Sequence, residues 1–224
     1  MSSKVQACRT PVTLPSGSAT VSAAIESVPD ARGTLLLAHG AGSRFDSSFL
    51  IGFARGMRRH GVSTVRFNFP YAEAGRRMPG PAEHAIATWA AVVEATGTND
   101  RPIWAAGRSY GGRMASMAAA EGRIAPAGLV YLGYPLHPPG RADRPRMAHL
   151  SAIAVPQLFV SGSRDPFVDP HEQLDAAVAS CVDAALVWIE GGGHGFEIAG
   201  ARRTPDVIGE EVAEIVATWL DRRF

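Results

Sequence analysis

Short apolar runs alternate along the chain with longer segments in which apolar residues recur every three or four positions. Residues 10–14 and 20–25 alternate between apolar and polar side chains, and residues 15–17 carry a turn signal, so a β-hairpin is predicted. The later apolar runs predict strands over 34–38, 62–67, 102–106, 127–132, 155–161 and 186–189. The segments with helical spacing predict helices over 47–59, 81–95, 110–120, 171–179 and 207–220.

This order of elements predicts an α/β fold. Strands that alternate with helices favour a mostly parallel central sheet of about eight strands, flanked by helices on both faces. A length of 224 residues and the lack of a linker-like tract predict a single domain over 1–224. One long irregular segment, residues 133–154, is rich in Pro and Arg. It is too short for a helical cap domain, so we expect an open site.

Composition and charge exclude several classes of protein. Apolar residues make up 46% of the chain and charged residues 19%, a balance that argues against intrinsic disorder. The chain has 22 Lys and Arg against 21 Asp and Glu, so no global field favours nucleic acid or an anionic membrane. Two cysteines are too few for a disulfide framework. The first 18 residues lack the apolar core of a signal peptide, and a cytoplasmic protein is expected.

Residues 107–111, GRSYG, carry the strongest chemical signal. The pattern G-x-S-x-G is weak by itself, but here a predicted strand precedes it and a helix of small residues follows it. In that setting a nucleophilic serine occupies a strained turn between strand and helix. Glycine at 107 and 111 permits the close approach of the two backbones. Ser109 is therefore the candidate nucleophile, and an ordinary glycine-rich turn is the alternative.

A nucleophilic serine needs a general base, and the base needs an acid that orients it. In this setting the chain order is serine, then acid, then histidine. Asp165 and His194 each follow one of the last two predicted strands, so both leave the edge where parallel sheets form ligand sites. Asp169 competes with Asp165, although its position suits a helix N-cap better. The competing histidines are His39, His60, His84, His137, His149 and His171.

The same chemistry needs an oxyanion hole, because hydrolysis of an ester or amide passes through a tetrahedral oxyanion. The backbone N–H of Tyr110, the residue after Ser109, is one expected donor. The second donor is expected in the loop after the strand at 34–38, where the sequence reads HGAG. We assign it to the N–H of Ala41.

Side chains of the neighbouring loops are candidates for contacts with a substrate. Tyr71, Tyr134 and Phe167 are candidates to line an apolar acyl pocket, although aromatic residues at strand ends more often belong to the core. His39 and Arg108 are further candidate substrate contacts. Arginine near a site can clamp a carboxylate or phosphate, and solvated loop charge is the alternative. The arginines concerned are Arg76, Arg77, Arg108, Arg141, Arg144 and Arg146.

No motif in the chain indicates a metal, cofactor or nucleotide site. Neither H-x-x-x-H nor H-E-x-x-H occurs, and the two cysteines lack paired ligand spacing. No G-x-x-x-x-G-K-[ST] segment occurs, and no G-x-G-x-x-G follows a strand. We therefore expect no metal and no cofactor, with a small ester-like molecule as the partner. The sequence does not decide between a monomer and a homodimer.

Several segments resemble an α/β-hydrolase over nearly the full length of the chain. They are LLLAHGAG, VRFNFPYAEAGRRMPGP, GRSYGGRMAS, YLGYPLHPPGR, LFVSGSRDPF and IEGGGHGF. The chain is most similar to the small lidless branch related to dienelactone hydrolases, and especially to predicted hydrolases of the testis-expressed-30 type. The resemblance implies the α/β-hydrolase fold without a cap domain, and a triad of Ser109, Asp165 and His194. Dienelactone hydrolases have a cysteine where this chain has Ser109, which argues against dienelactone itself as the substrate.

Together these features predict a serine hydrolase of the carboxylesterase kind that acts on small esters, thioesters or lactones through an acyl-enzyme. Two alternatives stay open. One is a catalytically silent binding or scaffold module, because a fold by itself does not define a function. The other is an acyltransferase or small-peptide hydrolase that uses the same triad.

Overall fold

The computed structural model describes residues 5–97 and 101–224. The strands are β1 (Val5–Leu14), β2 (Gly17–Glu26), β3 (Gly33–Ala38), β4 (Val62–Phe67), β5 (Ile103–Arg108), β6 (Gly128–Leu132), β7 (Gln157–Gly162) and β8 (Ala184–Ile189). The helices are α1 (Ser48–Arg59), α2 (Pro70–Glu73), α3 (Ala82–Thr96), α4 (Tyr110–Ala120), α5 (His171–Ala179) and α6 (Pro205–Leu220). A single 3₁₀ turn covers Leu150–Ala152.

All eight strands lie in one sheet, in the order β1-β2-β4-β3-β5-β6-β7-β8. β1 and β2 form the predicted antiparallel hairpin, with Leu14 opposite Gly17, and β2 pairs antiparallel with β4. The remaining pairings are parallel. The predicted fold class is therefore confirmed. A parallel sheet gathers the carboxyl ends of its strands at one edge, which is where the candidate site lies.

The sheet is covered by apolar layers on both faces. In β3, Leu35 and Leu37 join the layer under α1 and α6, whereas Leu36 and Ala38 join the layer under α3 and α4. Successive strand side chains point to opposite faces, so a strand buried on both faces must be a continuous apolar run. Trp219 packs α6 onto the sheet, with its ring 5.5 Å from that of Trp104.

Predicted and observed elements differ mainly at their ends. β1 begins at Val5 because hairpin pairing continues past the apolar alternation. β5 continues to Arg108, where it still pairs with β6. The short helix α2 was not predicted, and it begins at Pro70, whose fixed φ suits a first helical turn. In segment 133–154, all of which the structure describes, the only helical element is one 3₁₀ turn. This agrees with the expectation that no helical cap domain covers the site.

Candidate active site

Ser109 occupies the sharp turn between β5 and α4. Its backbone angles are φ 48° and ψ −115°, which few residues other than glycine adopt. Its N–H donates to the carbonyl oxygen of Leu132 at 3.0 Å, so the neighbouring strand β6 holds the turn. Strained conformations of this kind cost on the order of 1–3 kcal/mol and persist where the surrounding structure determines them.

Glycine is required on both sides of this turn. A Cβ atom at Gly107 would lie 2.2 Å from the backbone nitrogen of Gly112. A Cβ atom at Gly111 would lie 2.6 Å from the carbonyl oxygen of His39. Both distances are below 3.0 Å, which real Cβ atoms essentially never show. The spacing of glycines around Ser109 is therefore a steric consequence of the close packing of β5, α4 and the turn after β3.

The side chains of Ser109, His194 and Asp165 form one hydrogen-bonded chain. Oγ of Ser109 lies 2.9 Å from Nε2 of His194. Nδ1 of the same imidazole lies 2.7 Å from Oδ2 of Asp165. Because a carboxylate only accepts hydrogen bonds, Nδ1 carries the proton and Nε2 accepts the serine hydroxyl hydrogen. The structure thus brings together the three residues that the sequence singled out as nucleophile, acid and base.

Asp165 is fixed by burial and by the backbone around it. Its side chain is 0% exposed, and Oδ1 accepts the N–H of Phe167 at 2.9 Å. The competing carboxylate, Asp169, is exposed. Of these two acids, the structure therefore joins Asp165 to His194.

His194 lies in a loop that folds back on itself after β8. The N–H of Gly193 donates to the carbonyl oxygen of Glu197 at 2.9 Å. The ring of Phe167 lies against the imidazole, with centroids 4.3 Å apart. From the side of β6, a Cβ atom at Gly133 would lie 3.5 Å from Cε1 of His194. The imidazole is therefore packed on two sides and leaves Nε2 facing Ser109.

The competing histidines have other partners. The groups that meet their ring nitrogens are Glu214 for His60, Ser16 for His84, Ser116 for His149 and the carbonyl of Ser163 for His171. His137 is buried, and its Nδ1 lies 2.9 Å from the carbonyl oxygen of Pro138. Of the seven histidines, His194 is the one hydrogen-bonded to Ser109.

His39 supports the turn after β3 from inside the protein. The N–H of Phe69 donates to Nε2 of His39 at 3.1 Å, so Nδ1 carries the proton and donates to the carbonyl of Gly40 at 2.8 Å. Burial lowers the pKa of His39 to about 4, which keeps the ring neutral at pH 7. The prediction that His39 contacts the substrate is wrong, because the residue is 0% exposed.

The two expected oxyanion donors belong to backbone segments beside Ser109. A Cβ atom at Gly40 would lie 3.6 Å from Cβ of Ser109, so the turn that continues into the exposed Ala41 runs close to the candidate nucleophile. Tyr110 is the first residue of α4, and the first N–H groups of a helix have no acceptor within it. The assignment of the N–H groups of Ala41 and Tyr110 as donors stays a prediction.

Tyr134 is a core residue and does not line a pocket, which corrects the sequence prediction. It is 1% exposed, and its ring lies 5.2 Å from that of Tyr131 and 5.7 Å from that of Phe159. Its hydroxyl donates to the carbonyl of Arg146 at 2.8 Å. Burial raises the pKa of Tyr134 to about 12. The side chain of Tyr134 therefore packs in the apolar layer, between Tyr131 of β6 and Phe159 of β7.

Tyr71 borders a cavity beside the candidate site. Its ring stacks on Phe69 with centroids 6.2 Å apart, and its hydroxyl donates to the carbonyl of Gly40 at 3.3 Å. These two rings and Tyr110 line a cavity of about 300 Å³. Phe167 is half-buried against His194. For Tyr71 and Phe167, contact with a substrate stays a prediction.

A larger cavity of about 510 Å³ lies away from Ser109. Thr34, Ser63 and Ile103 line it, and these residues stand at the starts of β3, β4 and β5. It therefore opens at the amino edge of the sheet, whereas the hydrogen-bonded chain lies at the carboxyl edge. Ligand sites of parallel sheets form at the carboxyl edge of the strands, so we place the candidate active site at Ser109 and not in the larger cavity.

Arg108 connects the loop of His194 to α1. Its guanidinium lies 4.6 Å from the centroid of Phe49. Its Nη2 lies 2.8 Å from where a Cβ atom at Gly195 would stand. Burial lowers the pKa of Arg108, and the nearby Glu197 opposes that shift. These contacts place the Arg108 guanidinium between α1 and the loop that carries His194, and the predicted substrate contact of Arg108 stays a prediction.

Two residues near the site escaped sequence reasoning. Phe69 supplies the backbone N–H that sets the tautomer of His39; it lies in the segment VRFNFPYAEAGRRMPGP, but nothing in that segment singles it out. Arg113 lies one helical turn after Ser109 and donates its backbone N–H to the Ser109 carbonyl at 3.1 Å. Residues four positions apart on a helix are neighbours, so the spacing between Ser109 and Arg113 could have identified Arg113 from the sequence.

Within residues 5–97 and 101–224, no group of three His, Cys, Asp or Glu side chains is arranged to hold a metal ion. Among the helices of that described part, none is both long and apolar enough to cross a membrane.

A serine on a sharp strand-to-helix turn, at the carboxyl edge of a mostly parallel eight-stranded sheet, is typical of the α/β-hydrolase class. The family model described as "Alpha/beta hydrolase domain" matches residues 31–221. The chain belongs to this family. Within it, the fold is that of the small, lidless, dienelactone-hydrolase-like members. The closer relationship to testis-expressed-30-type proteins stays a prediction.

Solved structures share the fold at low sequence identity. A dienelactone hydrolase from Anabaena variabilis is 20% identical with a TM-score of 0.70, and the match covers 97% of this chain and 98% of that one. An α/β serine hydrolase without a lid from Xanthomonas campestris is 19% identical with a TM-score of 0.69, over 98% and 95% of the two chains. Est1E from Butyrivibrio proteoclasticus is 17% identical with a TM-score of 0.69, over 95% and 99%.

Proposed function

We propose that this protein is a serine hydrolase that cleaves small esters, thioesters or lactones. The observation that carries the proposal is the hydrogen-bonded chain from Oγ of Ser109 through His194 to the buried Asp165, with contacts of 2.9 and 2.7 Å. A serine hydroxyl becomes a competent nucleophile at neutral pH when a base takes its proton as it attacks. The strained backbone of Ser109 adds support, because strain of this kind concentrates at functional sites.

In the first half of the reaction, Oγ of Ser109 attacks the carbonyl carbon while its proton passes to Nε2 of His194. Asp165 holds the imidazole in the Nδ1–H tautomer and stabilises the positive charge that forms. The carbonyl oxygen becomes an oxyanion, for which the N–H groups of Ala41 and Tyr110 are the proposed donors. When the tetrahedral intermediate collapses, the bond to the leaving alcohol, thiol or ring oxygen breaks, and His194 returns the proton to it.

In the second half, water attacks the acyl group on Ser109, and His194 takes a proton from that water. A second tetrahedral intermediate collapses with release of the carboxylic acid. The proton on His194 returns to Oγ of Ser109, so the enzyme is restored. The chemistry uses neither a metal nor a redox group.

The open edge of the sheet favours small substrates. Segment 133–154, which contains a single 3₁₀ turn, stands where a helical cap would be inserted. The carboxylesterase class, the absence of a cofactor, the monomeric or homodimeric state and the cytoplasmic location stay predictions from the sequence. Dienelactone is not the favoured substrate, because Ser109 stands where the resemblance implies cysteine.

The test is intact-mass analysis after incubation with a fluorophosphonate. Attack of Ser109 on phosphorus expels fluoride and leaves a covalent phosphonyl adduct. We expect one adduct on the wild-type protein and none on Ser109→Ala. A well-folded wild-type protein that takes no adduct would argue for the binding or scaffold alternative.

A second measurement separates hydrolysis from acyl transfer. With a 4-nitrophenyl ester as donor, the acid product is measured with and without an added alcohol or amine. We expect the free acid to dominate. A product made mainly from the added acceptor would favour an acyltransferase that uses the same residues.

A further inference from the structure

Two arginines on elements that border the candidate site have no acidic partner in the part of the chain that the structure describes. They are Arg113 in α4 and Arg146 in segment 133–154. Other arginines of that segment differ, since Arg141 lies 3.0 Å and Arg144 3.8 Å from carboxylate oxygens of Asp143. Two guanidinium groups close together repel one another, and a bound anion would offset that repulsion.

Both arginines are anchored in backbone that also forms the candidate site. Arg113 donates its N–H to the carbonyl of Ser109, so its side chain leaves α4 one turn after the nucleophile. The N–H of Arg146 donates to the carbonyl of Leu136 at 2.7 Å, and its own carbonyl accepts the hydroxyl of Tyr134. Tyr134 follows Gly133, which lies against the imidazole of His194.

The charges of this cluster influence one another. Burial, and after it the charge of Arg113, lowers the pKa of Arg146. The same two causes lower the pKa of His149 to about 4, so that ring is neutral at pH 7. His149 meets Ser116 at 2.7 Å, and the serine hydroxyl donates to the carbonyl of Arg113. Since the hydroxyl has one hydrogen, His149 donates from Nε2, and the cluster keeps its positive charge on the two arginines.

The Arg113 side chain also has an unsatisfied donor. Its Nε is buried and finds no hydrogen-bond acceptor among the described residues. A buried donor without a partner costs roughly 1–3 kcal/mol. The residue as a whole is half-buried, so its side chain is in reach of solvent. An oxygen of a bound anion would satisfy this donor and offset the repulsion between the guanidinium groups.

We propose that Arg113 and Arg146 form a subsite for an anionic group of the substrate, a carboxylate or a phosphate, next to the reacting carbonyl. The inference rests on the proposed function. Arg113 comes four positions after Ser109, a rise of about 6 Å along a helix axis, so a short substrate can reach Arg113 with its anion while its carbonyl is at Ser109. Planar guanidinium groups bind carboxylate and phosphate oxygens in pairs. The substrate class becomes small esters or thioesters that carry a terminal anion.

Two aryl esters of similar size test this subsite. 4-Nitrophenyl hemisuccinate has a terminal carboxylate, and 4-nitrophenyl butyrate ends in a methyl group. We expect Arg113→Gln and Arg146→Gln each to raise the KM of the hemisuccinate about tenfold or more, with the KM of the butyrate changed less than about twofold. Arg123→Gln is the matched control, because it removes an exposed charge three residues beyond the far end of α4. It leaves both KM values unchanged.

Binding without catalysis separates failure of the subsite from failure of the proposed function. Calorimetry on Ser109→Ala compares monomethyl succinate with methyl butyrate, and repeats the comparison after Arg113→Gln is added. We expect the succinate ester to bind and the added substitution to abolish that binding. Equal affinities for the two esters would overturn the subsite even in an active hydrolase, whereas lack of a fluorophosphonate adduct would overturn only the catalytic proposal.

Inorganic phosphate distinguishes a free-ion site from a substrate subsite. As a subsite ligand, phosphate competes with the hemisuccinate in the wild type, and Arg113→Gln relieves the competition. A second outcome is that phosphate inhibits through Arg113 while the enzyme shows no preference for the hemisuccinate over the butyrate. That result would mean that Arg113 binds a free ion, and the inference about the substrate would be wrong. An equal loss of kcat/KM for both esters in Arg113→Gln would likewise contradict it, since that pattern reflects a disturbed α4.

Discussion

His39 holds the carbonyl of Gly40 through a hydrogen bond of 2.8 Å from Nδ1. The Gly40 carbonyl and the Ala41 N–H belong to one planar peptide unit and point in opposite directions. The buried imidazole therefore helps to set the direction of the N–H that we assign to the oxyanion hole, together with the N–H of Ser43, which donates to the same carbonyl at 3.2 Å. Tyr71 donates to the same carbonyl over a longer distance of 3.3 Å. We therefore expect removal of His39 and removal of the Tyr71 hydroxyl to lower kcat by different amounts.

We expect His39→Leu to lower kcat about tenfold to a hundredfold, with a smaller change in KM. Removal of one oxyanion donor lowers kcat by a factor of about 10²–10³, and we expect a donor that is only misdirected to lower kcat less. Steady-state kinetics on a 4-nitrophenyl ester measure the effect. Tyr71→Phe, which removes only the longer hydrogen bond, serves as the comparison and should cost less than about fivefold. A folded His39→Leu enzyme with wild-type kcat would contradict the proposal that His39 orients the Ala41 N–H.

Buried His39 also makes stability depend on pH. Its pKa is about 4 in the fold and 6.5 in its ordinary state, so between these values the unfolded chain binds more protons. Stability is thus complete above pH 6.5 and is lost as the pH falls towards 4. From pH 7 to 5 we expect His39 to account for roughly 2 kcal/mol of lost unfolding free energy. Urea unfolding of wild type and His39→Gln measures the difference, and identical pH slopes would contradict it.

Gly107→Ala should destabilise the fold severely. The added Cβ would meet the backbone nitrogen of Gly112 at 2.2 Å, and backbone on both sides of the clash cannot move without opening the turn at Ser109. We expect a loss of at least about 3 kcal/mol in urea unfolding, or no folded protein. Gly80→Ala is the control, since its new Cβ would meet nothing closer than 3.9 Å. Near-wild-type stability of Gly107→Ala would mean that the turn is looser than described.

Asp165→Asn should lower kcat by a factor on the order of 10³–10⁴ while the fold persists, because the amide no longer enforces the Nδ1–H tautomer of His194. The control is Asp169→Asn, which changes the exposed competitor and should leave kcat within about twofold of wild type. Both variants are compared by ester hydrolysis and by circular dichroism. If the Asp169 variant lost the larger share of activity, the acid would have been assigned to the wrong residue.

Much of the fold follows from local pattern. The continuous apolar run in β3 requires burial on both faces, and the alternating strands and helices require a parallel sheet. A parallel sheet in turn places everything that follows a strand at one edge. Ser109, Asp165 and His194 were identifiable for that reason, since each follows a strand and the types occur in the order that this turn geometry requires.

What a loop side chain touches was decided only by tertiary structure. Tyr134 and Tyr71 look alike in the sequence, yet Tyr134 is enclosed by Tyr131 and Phe159 whereas Tyr71 borders a cavity. The role of His39 depends on the N–H of Phe69, thirty positions later. In the same way, Arg144 lies 3.8 Å from a carboxylate oxygen of Asp143, whereas Arg113 has no carboxylate partner among the described residues. Periodicity along the chain reports burial of regular elements, but partners brought together by packing between distant loops leave no periodic trace.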